Sequence, residues 1–348
     1  MNELHFLLMK MMKQIAGDRT IYGLYHLLKG KKSSQTIQDA SMYGLLPYFR
    51  IIPSLTRPVF DEHITYLRQR GYIKAKENSV YELTDSGLAH LLEQEKIAPL
   101  PTKMNGYKYS DVAMTFWRRL SLLVQTISHM KQGSKTFQPI IQDEETTKWV
   151  KQFLLHSGYM RDELAEKVHE ECYRFLVTRS EEEATIFVLR LTGHDRIGWT
   201  NEQIGRKLGM HSWRVYFIAQ QLLHEWIRII RQRGEYALLA YICPAEETML
   251  LSHSTKTTYE LLQKGFSIDD ISKRRGLKRN TIEDHIIEIA LYDRQLNIEL
   301  FLSKEKYKRI EGAYHTYKTR KLRQLKEALE DDISYFEIRL VLARIGKK

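Results

Sequence analysis

Two short stretches, Thr200–Val215 and Ser267–Ile282, align without a gap, and their shared pattern leaves little choice of local fold. Thr200 matches Ser267, Ile204 matches Ile271, Gly209 matches Gly276, Met210 matches Leu277 and Val215 matches Ile282. A hydroxyl at the first position accepts an orphan backbone N–H and starts a helix, with Asp270 in the reciprocal capping position of the second copy. Ile268 and Ile271 then share one face of a short helix. The glycine falls where the chain must turn sharply, a place that favours a residue without Cβ. Leu277 and Ile282 pin the next helix onto the first. Cap, pin and turn keep their spacing in both copies, so the repeat is architectural.

Two helices joined in this way form a helix-turn-helix, whose second helix can meet base edges or phosphates with its first residues. In the later copy those residues are Arg279, Asn280 and Thr281, with Lys273, Arg274, Arg275 and Lys278 beside them. In the earlier copy they are Ser212, Trp213 and Arg214, and Arg228 and Arg231 extend the basic side. Trp213 either stacks on a base or packs. The competing reading of either copy is a structural helical hairpin with a solvated basic face. The balance of the whole chain favours an anionic partner: the formal net charge is +11 and the pI about 9.3.

Upstream, residues 4–16 read as an amphipathic helix with Leu4, Leu7, Leu8, Met11, Met12 and Ile15 on one side. Such a face serves a core or interface, or a methionine-rich docking surface. A helix over Tyr22–Leu28 ends at Gly30, Ser33 or Ser34 caps a helix over Gln35–Ser41, and a third runs from Arg57 to Arg70 with Pro58 in its first turn. Tyr72–Leu83 then alternates as a hairpin turning near Glu77–Asn78, and Thr84 and Asp85 open a further helix. Three helices followed by a basic hairpin form the pattern of a winged helix, with Lys74 and Lys76 on the wing and Arg57, Arg68 and Arg70 on the recognition helix. The fold expected is mainly α: a winged helix (α with a small β-hairpin) over 1–98, a helical domain over 107–250 with a helix-turn-helix at 200–228, and a second helix-turn-helix domain over 251–348. Pro99, Pro101 and Gly106 mark the first linker.

The segment Leu27–Ile37 with Tyr43-Gly44-Leu45-Leu46 resembles the winged-helix (RQC) domain of RecQ-family DNA helicases, over about residues 18–94. Thr257–Ser267, the stretch after it, and Leu322–Ala343 resemble the helicase helix-turn-helix domain found at the C-terminus of some bacterial RecQ helicases. The stretch at Thr200–Val215 is similar, in general form, to the fourth region of sigma factors. The whole layout is similar to the YpbB family of Bacillus-type bacteria. These resemblances imply a DNA-handling chain that works beside a short RecQ-type helicase. A RecQ motor needs GxxxxGK[ST] and a DExH motif, and neither occurs; the four-cysteine zinc site that precedes such a winged helix is also missing.

Other chemistry finds little support. Thirteen histidines include no HExxH and no paired i,i+4 spacing, and two cysteines, Cys172 and Cys243, cannot build a four-ligand zinc site or a disulfide framework. No GxSxG elbow occurs. The carboxylate groups Glu181–Glu183, Asp269–Asp270 and Asp331–Asp332 lie near expected helix starts, where capping explains them better than catalysis. No metal or cofactor is therefore expected. Lysines interrupt the apolar N-terminus, so it does not read as a signal peptide, and no apolar run spans a membrane; a reducing cytoplasm fits. Between Lys304 and Lys326 a basic run (Lys306, Lys308, Arg309, Lys318, Arg320, Lys321 and Arg323) is interleaved with Tyr307, Tyr314 and Tyr317. It is either a surface for phosphates and unpaired bases or a solvated face with buried tyrosines. The function expected is a non-enzymatic DNA-binding accessory protein for a RecQ-type helicase in repair or recombination. A sequence-specific transcription regulator and a scaffold that docks on the helicase are the alternatives.

Overall fold

Short polar side chains set many of the helix starts. Ser33, Asn105, Asp143, Ser180, Thr200, Ser252 and Ser267 each accept a backbone N–H from the first turn of the helix that follows. The computed structural model describes residues 1–134, 136–245, 251–317, 319–329 and 331–345, apart from the side chain of Arg161. In chain order α1 is Glu3–Ile15, α2 Ile21–Lys29, α3 Ser34–Met42 and α4 Arg57–Gln69. Strands β1 (Ile73–Ala75) and β2 (Tyr81–Leu83) pair antiparallel, with Ile73 opposite Leu83, and α5 is Asp85–Ile97. Next come α6 (Gly106–Lys131), α7 (Glu144–His156), α8 (Arg161–Leu176), α9 (Glu181–Leu189), α10 (Asn201–Leu208), α11 (Ser212–Gln232) and α12 (Ala237–Ile242). The last are α13 (His253–Gln263), α14 (Ile268–Arg275), α15 (Arg279–Tyr292), α16 (Lys304–Tyr317), α17 (Leu322–Ala328) and α18 (Tyr335–Ile345). The protein is thus mainly helical with one small antiparallel pair of strands among the described residues.

The chain divides into two compact units: Met1–Leu7 with Leu91–Glu246, and Leu8–His90 with Glu247–Lys348. Both boundaries between the early segments fall inside a helix, α1 or α5. The segments read from sequence as first and third domains therefore share one unit, and the junction expected at 250–251 touches residues outside those described.

In the unit containing α6–α12, the long helices α6 and α11 pack together. Trp226 is fully buried, stacked on Phe175 with ring centres 4.5 Å apart and edge-on to Phe116 and Phe187. Two buried carboxylates are held in different ways. Glu171 accepts the N–H groups of Leu238 and Leu239 at 3.1 and 2.9 Å, capping α12 from α8. Glu225 pairs with Arg179 at 2.5 Å and Lys103 at 3.3 Å. Cys172 and Cys243 are both buried, and burial pushes the Cys172 thiol up to about 12.

In the other unit α15 is the central element, with α13, α18 and α3 packed around it. Its residues Ile282, Ile286, Ile287 and Ile289 are fully buried. The apolar side expected on α1 is buried, Leu8, Met11, Met12 and Ile15 within this unit and Leu4 and Leu7 within the other, so it is not an open docking face. No helix among the described residues is long and apolar enough to cross a membrane, and none of their His, Cys, Asp and Glu side chains gather in threes to hold a metal ion.

Candidate nucleic-acid interface

The turn between α14 and α15 is built as its residue types require. Ser267 Oγ accepts the Asp270 N–H at 3.2 Å and donates to the Asp270 carboxylate at 2.6 Å. That hydroxyl bond holds the Asp270 carboxyl below its usual range. Gly276 ends α14 with φ +60° and ψ +28°, the left-handed geometry that only glycine adopts without strain. Ser272 closes the turn twice: its carbonyl accepts from Leu277 N at 3.1 Å, and its hydroxyl donates to Leu277 O at 2.5 Å. The earlier copy repeats the scheme. Thr200 and Gln203 form a complete capping box, Gly209 has φ +68°, and Met210 N donates to Gly205 O at 2.9 Å. There the place of Ser272 is taken by Gly205, where a Cβ would come within 2.6 Å of Met210 O.

The later turn presents charge at the start of α15. Lys278, Arg279 and Asn280 are exposed and Thr281 is half-buried. The Lys278 side chain does not cap the helix, so the first turn of α15 receives no side-chain acceptor from that residue, while the Thr281 N–H donates to the Lys278 carbonyl at 2.9 Å. Lys273 and Arg274 are exposed on α14, with the Arg274 guanidinium 4.0 Å from the centre of the Phe266 ring. Arg279 is an exposed cation but is already engaged, by Asp269 at 2.5 Å and Glu283 at 3.0 Å, and these carboxylates raise its pKa.

Arg275 departs from the expectation that it adds surface charge. It turns inward and donates to Ser254 O at 2.7 Å, Ser254 Oγ at 2.9 Å and Thr258 Oγ1 at 2.5 Å. The repeat carries the reason: Arg275 aligns with Leu208, a position that faces the core in the earlier copy.

Several residues that sequence reasoning missed hold α15 in place. Glu288, 2% exposed, accepts from Ser252 N and Thr255 Oγ1, each at 2.6 Å, and so ties the cap of α13 to α15. His285 shares a hydrogen bond of 2.8 Å with Thr258, and burial with the nearby Arg275 lowers its pKa. Arg339 of α18 donates to Asp284 at 2.6 Å and to Gln38 of α3 at 2.8 Å. Ile282 and His285–Leu291 are thereby committed to packing, and Lys278, Arg279 and Asn280 are the exposed residues at the start of the helix. Partners so distant in sequence leave no local signal; a buried Glu or His on an apolar helix face was the one hint.

A protein of known sequence now fixes the family. Over 333 residues, which cover 95% of this chain and 94% of the other, the chain is 34% identical to Protein YpbB of Bacillus subtilis (strain 168). The chain belongs to the YpbB family. In this YpbB-family chain, residues 254–342 also match the family described as a Helix-turn-helix domain, which covers α14, the turn and α15. No solved structure matches it.

The remaining expected positions fall into separate groups. Ser212, Trp213 and Arg214 open α11 in the other unit, all half-buried, after His211 as the capping residue. Trp213 packs near Tyr216 and Phe217, with ring centres 5.7 and 5.8 Å away, and His211 lies 3.9 Å from Glu3. Arg68, Arg70, Lys74 and Lys76 are exposed on α4 and the hairpin, with Lys76 paired to Glu82 at 2.5 Å and Arg70 near the Tyr66 ring. Arg57 sits 3.3 Å over the Tyr22 ring and pairs with Asp61, so it braces α2 against α4. The basic run from Lys304 is not one open cationic face. Lys306 pairs with Glu337, Arg309 with Asp332, Lys321 with Asp18 and Arg323 with Glu327, and Lys318 lies outside the described residues.

Proposed function

We propose that this protein is a non-enzymatic DNA-binding accessory protein that holds duplex DNA and assists a RecQ-type helicase. The observation that carries the reading is the open first turn of α15. Lys278 and Asn280 are exposed there, as are Lys273 and Arg274 on α14, while Ile282 and His285–Leu291 behind them are buried. A helix start offers backbone N–H groups and positive partial charge to phosphate, and long cations beside it add affinity that falls with salt. Asn280 is the residue type that pairs with adenine in the major groove. The helices α2–α4 with the β1–β2 hairpin support a winged-helix reading of residues 18–94, in which Lys74, Lys76, Arg68 and Arg70 form a second duplex contact. The half-buried Ser212, Trp213 and Arg214 rank below both as contacts.

The test is fluorescence anisotropy of the full chain on labelled linear and forked duplexes, with random-sequence competitor. Salt-sensitive binding that prefers forks is expected. The pair Arg274→Glu and Lys278→Glu should weaken duplex binding by at least about ten-fold with an unchanged melting temperature. Turnover of ATP by the pure protein, or binding that ignores these two charges, overturns the proposal. A strong preference for one linear sequence would favour a transcription regulator instead. Addition of the protein to a RecQ-type helicase on the forked substrate should raise the unwinding rate.

A further inference from the structure

The far end of α15 meets a different kind of surface. Beyond Tyr292 the chain loops through Asp293–Leu300, and this loop, α16 and the end of α18 enclose a groove of about 520 Å³. Leu296, Ile298 and Leu302 supply apolar lining, Tyr307 an aromatic ring, and Arg294, Lys304, Lys308 and Arg344 line it with positive charge. Lys304 is matched by Glu299 at 3.3 Å. Arg294, Lys308 and Arg344 form no ion pair among the described residues. The Asp293 carboxylate, which accepts the Tyr259 hydroxyl at 2.8 Å, acts on Arg344 through space only. Arg344 is held rigidly, since its guanidinium donates to the carbonyls of Asp293 and Leu296 at 3.0 and 2.5 Å. Arg344 and Arg294 are close enough to repel each other and face one groove with Lys304 and Lys308, four cations against the single lining carboxylate of Glu299.

We infer that this groove binds an unpaired DNA strand, with Arg294, Lys308 and Arg344 on its phosphates and Tyr307 against a base. An apolar floor with an aromatic ring and a cationic rim is the chemistry of a single-strand channel: bases lose water on the ring while phosphates stay at the charged edge. A duplex would not fit the pairing, because its bases are stacked inside and leave Tyr307 nothing to cover. The inference rests on the duplex-binding reading and extends it. The groove and the open turn at Lys278 lie at opposite ends of α15, whose 14 residues span about 20 Å, close to six base-pair steps. One rigid helix would then hold a duplex at its start and a separated strand at its end, the two arms of a fork.

The experiment measures anisotropy of the full chain on a labelled oligo-dT strand and on a blunt duplex. Arg294→Glu with Lys308→Glu, and separately Tyr307→Ala, should weaken the oligo-dT complex by about ten-fold while leaving the duplex complex within about two-fold. Tyr307→Phe keeps the ring and should bind as the parent does, which separates stacking from a folding defect. Arg274→Glu with Lys278→Glu should do the reverse, losing duplex and keeping oligo-dT. If the parent binds duplex but not oligo-dT, the groove proposal fails and the duplex reading stands. If it binds neither, both fail. Equal losses on both ligands in the groove variants would also overturn it, since one shared surface would then serve both.

Discussion

Acid should destabilise one unit of this protein through a single histidine. His224 of α11 is 1% exposed; its Nδ1 accepts the Asn105 N–H at 3.1 Å, and its Nε2 is buried without a hydrogen-bond partner. The neutral ring fits this site, whereas a charged ring finds no carboxylate, so burial lowers its pKa from 6.5 to about 4. Because the folded value is the lower one, the unfolded chain takes up the proton first. The penalty is absent well above pH 6.5, grows as pH falls through the window between the two values, and levels off below about 4. That gap is worth about 3 kcal/mol in full, and about 2 kcal/mol is lost between pH 7 and pH 5. The assay is built in. All five tryptophans, Trp117, Trp149, Trp199, Trp213 and Trp226, belong to the unit that holds His224, so their fluorescence follows that unit alone. Urea unfolding of the parent and of His224→Gln, which cannot charge, gives two stability curves against pH. Their difference should shift by about 2 kcal/mol in favour of the variant from pH 7 to pH 5. A difference that stays constant over that range refutes the argument.

Two further outcomes follow from the turns. Gly276→Ala puts Cβ into open space at φ +60°, so it should cost only the left-handed penalty of about 1 kcal/mol, whereas Gly205→Ala drives Cβ to 2.6 Å from Met210 O and should cost at least twice as much in a thermal melt. Asp269→Asn leaves Arg279 with Glu283 as its one carboxylate partner, so duplex affinity should rise by about three-fold at low salt and the gain should vanish at high salt.

How much of this was legible depended on how local the cause is. Caps and turn glycines act within a few residues, so Ser267, Thr200, Gly276 and Gly209 could be read directly, as could the hairpin that turns at Asn78. The inward course of Arg275 was encoded too, through its alignment with Leu208, but its positive charge suggested a surface. The pairing of Arg279 by Asp269 depends on how α14 crosses α15, which spacing alone does not determine. The groove was beyond reach for a different reason. Arg294 and Arg344 are half a hundred residues apart, and only the packing of α18 brings them to one place. The same holds for Gln38 and Arg339, whose bond joins the two segments of one unit.

The packing of α3 on α15 also governs the birth of the protein. On the ribosome, α3 with its buried Ile37 and Ala40 emerges early, but α15, which packs on it, is made only after the whole of α6–α12. At ordinary translation rates the wait is roughly ten to fifty seconds, during which the intervening unit has time to fold by itself. The first hundred residues must therefore remain soluble with an apolar helix face uncovered. A fragment cut to the matched domain at 254–342 would carry the complementary exposed face, so its poor solubility would reflect a missing α3 rather than a faulty domain.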